Sequence, residues 1–320
     1  KDLVLDFSSS ESEWSDEELD ASEVTVSDIL MRYRLAGITR SEQVTLEAIW
    51  ECLNTVIPAG IDRAGTTFML QWHHHRCMTK YLRSAPVKGD LPSSAIIWAF
   101  HSESQAEILS IIMESADFSW NLMKLTGVAF WCKSIASLRL SIEKLSRIVF
   151  QKEKDPMQVI VWYSILGKEK ILSGLFKSVN NVKMAQFFGN DFTDTRWKQA
   201  ALKNAFALLG KRRYLEAIGF FLIGGALKDA LDVAQNRLHD NCLTLLIAKL
   251  RSGQDLYLEK LKELSKEDSF ITSIYYWLEG NQIESVSIFM ESEVCRKFDP
   301  AKTFNFYKFL SKHPLYTKAL

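Results

Sequence analysis

Residues Arg196–Leu231 read RWKQAALKNAFALLGKRRYLEAIGFFLIGGALKDAL. The pattern is a helix, a glycine, a second helix, a Gly-Gly and a third helix, each apolar along one side. No connection in the stretch is long enough to hold a catalytic loop. Short helices joined at glycines stack into a solenoid, and the product of a solenoid is a surface for partners.

The same joint recurs outward from this stretch. WYSILGKEKILSGLF around Gly167, AFALLGKRRYLEAIG around Gly210, FFLIGGALKDALDVA around Gly225 and YYWLEGNQIESVSIF around Gly280 share one frame. An aromatic stands four residues before each glycine (Tyr163, Phe206, Phe221, Tyr276), and an aliphatic two before (Ile165, Leu208, Ile223, Leu278). Another aliphatic follows eight later (Leu175, Ile218, Val233, Ile288). Glycine supplies the left-handed turn that ends one helix, and the flanking apolar residues close two helices into a hairpin. The glycines lie 43, 15 and 55 residues apart, a repeated joint without a strict repeat. The expected fold is therefore all-α, an irregular α-solenoid of helical hairpins.

Further helices are expected at Val26–Leu35 (with Ser27 as N-cap and Gly37 as terminator), Ser41–Val56, Thr67–Arg83 and Ser93–Phe100. Others follow at Ser104–Ser115, Phe118–Leu125, Ser134–Phe150 and Pro300–Ser311. Val44, Leu46, Ile49, Trp50 and Leu53 supply the helical spacing of the second. Pro58, Gly60 and Gly65 mark a connection, and Pro86, Gly89 and Pro92 a loop. No alternating strand pattern appears. Three regions result: residues 1–25, acidic and Ser-rich; 26–92, helical; and 93–320, the solenoid.

The 320 residues are 47% hydrophobic and 24% charged, ordinary globular values that leave ample material for a core. A formal net charge of zero hides an asymmetry. Residues 1–28 hold ten acids against Lys1 alone, which leaves 38 basic and 29 acidic residues beyond them, a net of +9. Ser8–Glu23 is too poor in apolar residues to offset the entropy of ordering, so disorder is expected. Ser8, Ser10 and Ser15 each have an acid three residues on, the pattern of acidophilic phosphorylation, and a plain solvated linker fits them as well. Trp14 stands alone there, in the manner of a side chain that docks into a groove on binding. The five cysteines are scattered and form no CxxC, which argues against a zinc knuckle, a redox dithiol or a disulfide framework and for a reduced, cytosolic setting. No apolar run approaches the roughly 20 residues of a membrane span, so any membrane role is expected to be peripheral. The chain opens on Lys rather than Met, without a signal peptide, and reads as a piece of a longer protein.

Nothing in the sequence assembles a catalytic site or a cofactor fingerprint. Gly167-Lys168 and Gly210-Lys211 end helices, whereas phosphate loops precede them, and Gly224-Gly225 follows a helix where a dinucleotide fingerprint needs a strand. In WHHHRCM, Trp72–Met78, adjacent histidines diverge by about 100° and cannot share an ion. His73 and Cys77 have i,i+4 spacing but no second pair, so the expectation is a structural role and no metal. The candidate binding element is a basic strip: Arg196, Trp197, Lys198, Lys203, Lys211, Arg212 and Arg213, with no acid between them. Trp197 alone is thin support for nucleic-acid stacking. A solvated helix face, an acidic protein partner, anionic lipid and the chain's own acidic segment all fit the strip. Trp197 also fits a core anchor at a helix start.

NDFTDTRWKQAALKNAFALLGKRRYLEAIGFFLIGGALKDALDVA, Asn190–Ala234, resembles the rabconnectin-3/DmX-like family, whose fungal member is the large subunit of the RAVE complex. IIWAFHSES (Ile96–Ser104), Leu125–Phe176 and FDPAKTFNFYKFLSKHPL (Phe298–Leu315) carry it further, while residues 1–90 match loosely. The resemblance implies a non-enzymatic scaffold without cofactors, part of the α-solenoid that follows β-propellers in long proteins. It implies promotion of vacuolar-type proton-pumping ATPase assembly from its soluble catalytic and membrane sectors. The implied partners are soluble-sector ATPase subunits, a WD-repeat rabconnectin-3 beta-type subunit and a Rogdi-like subunit. The implied location is cytoplasmic, with recruitment to endosomal, vacuolar/lysosomal or synaptic vesicle membranes. The hairpins by themselves fit equally a vesicle coat or tethering solenoid that binds adaptors or small GTPases.

Overall fold

The computed structural model describes residues 26–81, 89–266, 268–290 and 300–319. Among these every regular element is helical and there is no strand, an all-α architecture of successive hairpins. The expectations for residues 1–25, including Ser8, Ser10 and Ser15, lie outside the described residues. The chain divides into two compact units, Lys1–Ile111 and Ile112–Leu320.

In the first unit α1 (Val26–Arg32), α2 (Arg40–Ala59), α3 (Arg63–Tyr81) and α4 (Ser93–His101) follow one another, with α5 (Gln105–Glu114) at the division. The helix α2 begins earlier than the apolar spacing implies because Thr39 and Glu42 form a capping box. The Thr39 hydroxyl accepts from the Glu42 N–H at 3.2 Å, and the Glu42 carboxylate accepts from the Thr39 N–H at 2.7 Å. Its far end is closed by Gly60 at φ +63°. Gly65 lies inside α3 instead of marking a connection: a methyl group there would stand 2.5 Å from Ile61 and 2.8 Å from Ser102. The α2 face turned inward carries Gln43 and Glu47 along with Val44, Ala48, Cys52 and Val56. Gln43 holds α1 down: its amide donates to the carbonyls of Leu30 and Tyr33 and accepts from the Leu35 N–H at 3.3 Å. Glu47 accepts from the Ser27 hydroxyl. Leu46, Ile49, Trp50 and Leu53 face outward, so the apolar spacing located the helix but not its buried side.

The second unit runs α6 (Trp120–Leu125), α7 (Val128–Trp131), α8 (Ile135–Glu153), α9 (Ile160–Leu166), α10 (Glu169–Ser178), α11 (Val182–Phe188), α12 (Thr195–Gly210) and α13 (Tyr214–Ile223). It continues with α14 (Leu227–Asp232), α15 (Asn241–Arg251), α16 (Gln254–Ser265), α17 (Ser269–Glu279), α18 (Gln282–Ser287), α19 (Pro300–Leu310) and α20 (Pro314–Ala319). One joint geometry recurs. A left-handed residue donates its N–H three residues back, and the next residue donates five back, satisfying carbonyls that the helix end leaves open. Gly167, Gly225 and Gly280 take this position at φ +69°, +80° and +84°, as the shared frame predicts.

Gly210 departs from that expectation. It is the last helical residue of α12, and the left-handed position falls on Arg212 at φ +59°, with the Arg213 N–H reaching the Leu208 carbonyl at 3.0 Å. A side chain in this conformation costs about 1 kcal/mol or more relative to glycine. Arg212→Gly should therefore raise the unfolding free energy by up to about 1 kcal/mol, read as a shift in denaturant midpoint. Unchanged or lower stability would mean that the Arg212 side chain holds the joint. Asn180 at φ +57° makes a further joint of the same kind between α10 and α11.

The core of this unit is centred on α13, buried from Ala217 through Ile223. Gly219 lets α13 lie directly on α9, since a methyl group there would sit 2.4 Å from Ile160 Cγ2 and 3.0 Å from the Val161 backbone nitrogen. Below the start of α12, Phe176 and Phe188 stack at 5.2 Å, and Phe187, Phe188 and Phe220 meet within 6 Å. Cations from neighbouring helices close other helix ends. Arg139 donates to the Leu166 and Leu250 carbonyls at 3.1 and 3.4 Å, Arg251 to Leu222 at 3.4 Å, and Lys249 to Cys132 at 2.6 Å.

Candidate interaction surface on the α12–α13 hairpin

The surface is built by the start and end of α12. Asp194 caps the helix, its carboxylate accepting from the Arg196 N–H at 2.9 Å. Just upstream, Asp191 accepts from the Thr193 N–H at 2.9 Å. That bond, then the Thr193 side chain, and lastly the charges of Lys170 and Lys198 hold its carboxyl below the usual range. Ala201, Ala205 and Leu208 point inward, so the small residues of the AALKNA run let α12 lie close to its neighbours. A methyl group at Gly224 would strike Leu202, a measure of how near the next turn comes.

The outward face carries Arg196 and Lys203, seven residues and thus about two turns apart on one side of the helix. Lys211 follows at the helix end, and Phe206 stands beside Lys203 with more than half its surface exposed. Arg196 covers the Trp197 ring at 5.2 Å, and Trp197 rests half-buried against Phe187 at 6.2 Å. Trp197 is thus an anchor of the helix start that also shapes the basic surface. Lys198 lies roughly opposite Arg196 on the helix, toward Asp191. Arg212 occupies the left-handed joint, and Arg213 is committed to Glu216 at 2.9 Å. All six cations are exposed, and among the described residues Arg196, Lys203, Lys211 and Arg212 have no carboxylate within ion-pair distance. Arg196 and Lys203 share one face, Lys211 follows just past the helix end, Lys198 lies on the far side of the helix, and Arg212 and Arg213 belong to the joint.

The histidine run takes three separate structural roles. His73 is buried with Nδ1 at 3.2 Å from Glu51 Oε2, which also accepts from Arg76 at 2.9 Å. His74 lies 3.4 Å from the Thr45 hydroxyl, and His75 Nε2 lies 3.0 Å from the Gly89 carbonyl. Among the described residues no group of three or more His, Cys, Asp or Glu is placed to hold a metal ion. The bond to His73, with Arg76 contributing, brings the Glu51 carboxyl down to about 2. Its folded value lies below the unfolded one, so the ionised group stabilises the first unit above about pH 4.5, and that contribution disappears as pH falls through about 2. The contribution amounts to about 2–3 kcal/mol. Glu51→Gln should remove this part of the acid dependence, measured as unfolding free energy between pH 2.5 and 6. An unaltered acid slope would show that the pair does not supply it.

Two features had no clear sequence signal. The Glu51–His73–Arg76 group joins residues more than twenty apart, whose partnership needs the α2–α3 hairpin. Lys249 is almost wholly buried under the α7 end, with its ammonium 4.5 Å from the Tyr257 ring. Burial brings it down to about 8, against the opposing influence of Cys132.

Glycine-type joints, an α13-centred core and an exposed basic helix face define an all-α segment of successive helical hairpins. The chain belongs to the family described as RAVE protein 1 C terminal, which matches residues 4–313. It is 30% identical over 331 residues to mouse DmX-like protein 1, an alignment covering 89% of this chain and 11% of that protein. It is also 30% identical over 306 residues to the Saccharomyces cerevisiae regulator of V-ATPase in vacuolar membrane protein 1, covering 85% of this chain and 22% of the relative. The Schizosaccharomyces pombe protein of the same name is 26% identical over 232 residues. The chain therefore spans about a ninth of the mouse relative and about a fifth of the Saccharomyces cerevisiae one.

Proposed function

We propose that this chain is a non-enzymatic scaffold segment that promotes assembly of a vacuolar-type proton-pumping ATPase, joining its soluble catalytic sector to its membrane sector and so supporting organelle or vesicle acidification. The observation that carries the reading is membership of a family whose yeast relatives are named regulators of that pump in the vacuolar membrane. A stack of hairpins holds partners at fixed spacing and orientation. Tethering raises their effective concentration to the order of millimolar with no chemical step. The proposed contact for acidic elements of the soluble sector is the α12–α13 surface: Arg196, Trp197, Lys198, Lys203, Lys211, Arg212 and Arg213. A WD-repeat rabconnectin-3 beta-type subunit and a Rogdi-like subunit are the proposed accessory partners. Among the described residues no helix is long and apolar enough to cross a membrane. Peripheral recruitment to endosomal, vacuolar/lysosomal or synaptic vesicle membranes accords with that.

Affinity capture of the full chain from cytosol, probed for soluble-sector ATPase subunits, tests the assignment. Recovery of those subunits is the expected result. Recovery of cargo adaptors or small GTPases without pump subunits would replace it with a coat or tethering role.

A further inference from the structure

The exposed side of α12 carries its charges in a helical register. Arg196 and Lys203 are seven residues apart, so they lie within about 20° of each other around the helix and about 10.5 Å apart along it. Phe206 follows about one turn after Lys203, 57% exposed, with its ring edge-on to Phe221 at 5.1 Å. Ala207 and Gly210 continue the line of Arg196 and Lys203, and a methyl group at Gly210 would meet nothing within 4 Å. No acid occurs from Thr195 to Leu215. The two acids that flank this stretch are engaged, Asp194 by the Arg196 N–H at 2.9 Å and Glu216 by Arg213 at 2.9 Å. Neither Arg196 nor Lys203 forms an ion pair among the described residues.

That spacing selects the partner. Two cations two turns apart on one side of a helix match two carboxylates two turns apart on a second helix lying alongside, at an axis separation of about 8–10 Å. An apolar side chain one turn beyond the second carboxylate then covers Phe206. A nucleic-acid strand carries a phosphate about every 3.4 Å and stacks its bases on successive rings, whereas α12 offers sparse cations and one exposed ring. A bilayer surface takes a continuous apolar stripe, and Phe206 is the one large apolar side chain of α12 that is exposed. A second copy seated α12 against α12 would set cation against cation.

We propose that Arg196, Lys203 and Phe206 form a seat for a single amphipathic helix of an acidic partner, whose carboxylates seven residues apart face Arg196 and Lys203 and whose apolar side chain covers Phe206. This deepens the contact assigned to the α12–α13 surface, and it rests on the assembly reading only for which protein supplies the helix.

The test uses the full chain and two fluorescent Ala-rich peptides of about 20 residues, long enough to sample helix in water. Both carry two glutamates and one leucine. In one the glutamates are seven apart with the leucine three residues on; in the other the same residues are dispersed around the helix. Fluorescence anisotropy should give at least about tenfold tighter binding of the first peptide. Lys203→Glu and Phe206→Ser should each remove that preference, and Lys203→Glu should leave thermal unfolding unchanged. Equal binding of the two peptides, no binding of either, or a preference that survives both substitutions would overturn the proposal. So would phosphatidylserine vesicles or single-stranded RNA that bind through Lys203 while neither peptide does, or a dimer in sedimentation that Lys203→Glu dissolves. A register preference with no ATPase subunit captured from cytosol would keep this seat and remove the assembly role. Captured subunits without the preference would do the reverse.

Discussion

Gly219→Ala is expected to destabilise the second unit by about 2–4 kcal/mol, the cost of forcing extra volume into a packed contact whose walls include backbone. The methyl group would lie 2.4 Å from Ile160 Cγ2, which a side-chain rotation relieves, and 3.0 Å from the Val161 nitrogen, which it does not. Relief requires α13 to move away from α9, and α13 is buried over Ala217–Ile223. Gly210, nine residues earlier, is the matched control. It is helical, exposed, and has open space where a methyl group would go. Gly210→Ala should stabilise by about 0.5–1 kcal/mol through helix propensity and the unfolded chain. Denaturant melts of the two variants should move in opposite directions. Equal or parallel shifts would mean that the α9–α13 contact is looser than described.

Stability near Lys249 should change with pH by about 3 kcal/mol. Its folded value of about 8 lies below the unfolded value of 10.5, so the unfolded chain holds more protons between the two. The contribution of this lysine to stability therefore rises as pH goes from about 8 to 10.5, where the buried amine becomes neutral. Cysteines and tyrosines also titrate there, so the readout is the difference between the wild-type protein and Lys249→Met. That difference should shift in favour of the wild type by about 3 kcal/mol between pH 7 and 10.5. A pH-independent difference would show that Lys249 stays charged without penalty, with the Cys132 carbonyl and the Tyr257 ring fully replacing water.

The joints show what the sequence made legible. Gly167, Gly225 and Gly280 are readable because glycine is the residue that enters the left-handed region without strain, and its neighbours mark the packing frame. Arg212 and Asn180 make the same turn, but no residue preference announces an arginine there. Propensity therefore pointed to Gly210, two residues early. The helix α2 was readable as a helix from its apolar spacing. Its orientation was not, because the residues that decide it, Gln43 and Glu47, act through α1 backbone and Ser27 rather than through any local pattern. The histidine run showed its inability to share one ion by spacing alone, while its actual partners Glu51, Thr45 and Gly89 needed the folded chain. Along the basic strip, helical periodicity puts Arg196 and Lys203 on one face. The commitment of Arg213 to Glu216 and the backbone role of Arg212 emerge only from the hairpin geometry.

These distinctions choose the decisive variant. Reversing Arg212 or Arg213 would disturb a joint or an ion pair as well as the surface, whereas Arg196, Lys203 and Lys211 are exposed and free of ion pairs among the described residues. The measurement is the affinity of the full chain for purified soluble-sector ATPase, comparing wild type with Arg196→Glu/Lys203→Glu/Lys211→Glu at two salt concentrations. The account predicts salt-sensitive binding that weakens at least about tenfold in the triple variant, with unfolding unchanged. No binding by the wild type, or equal binding by both proteins, would contradict it.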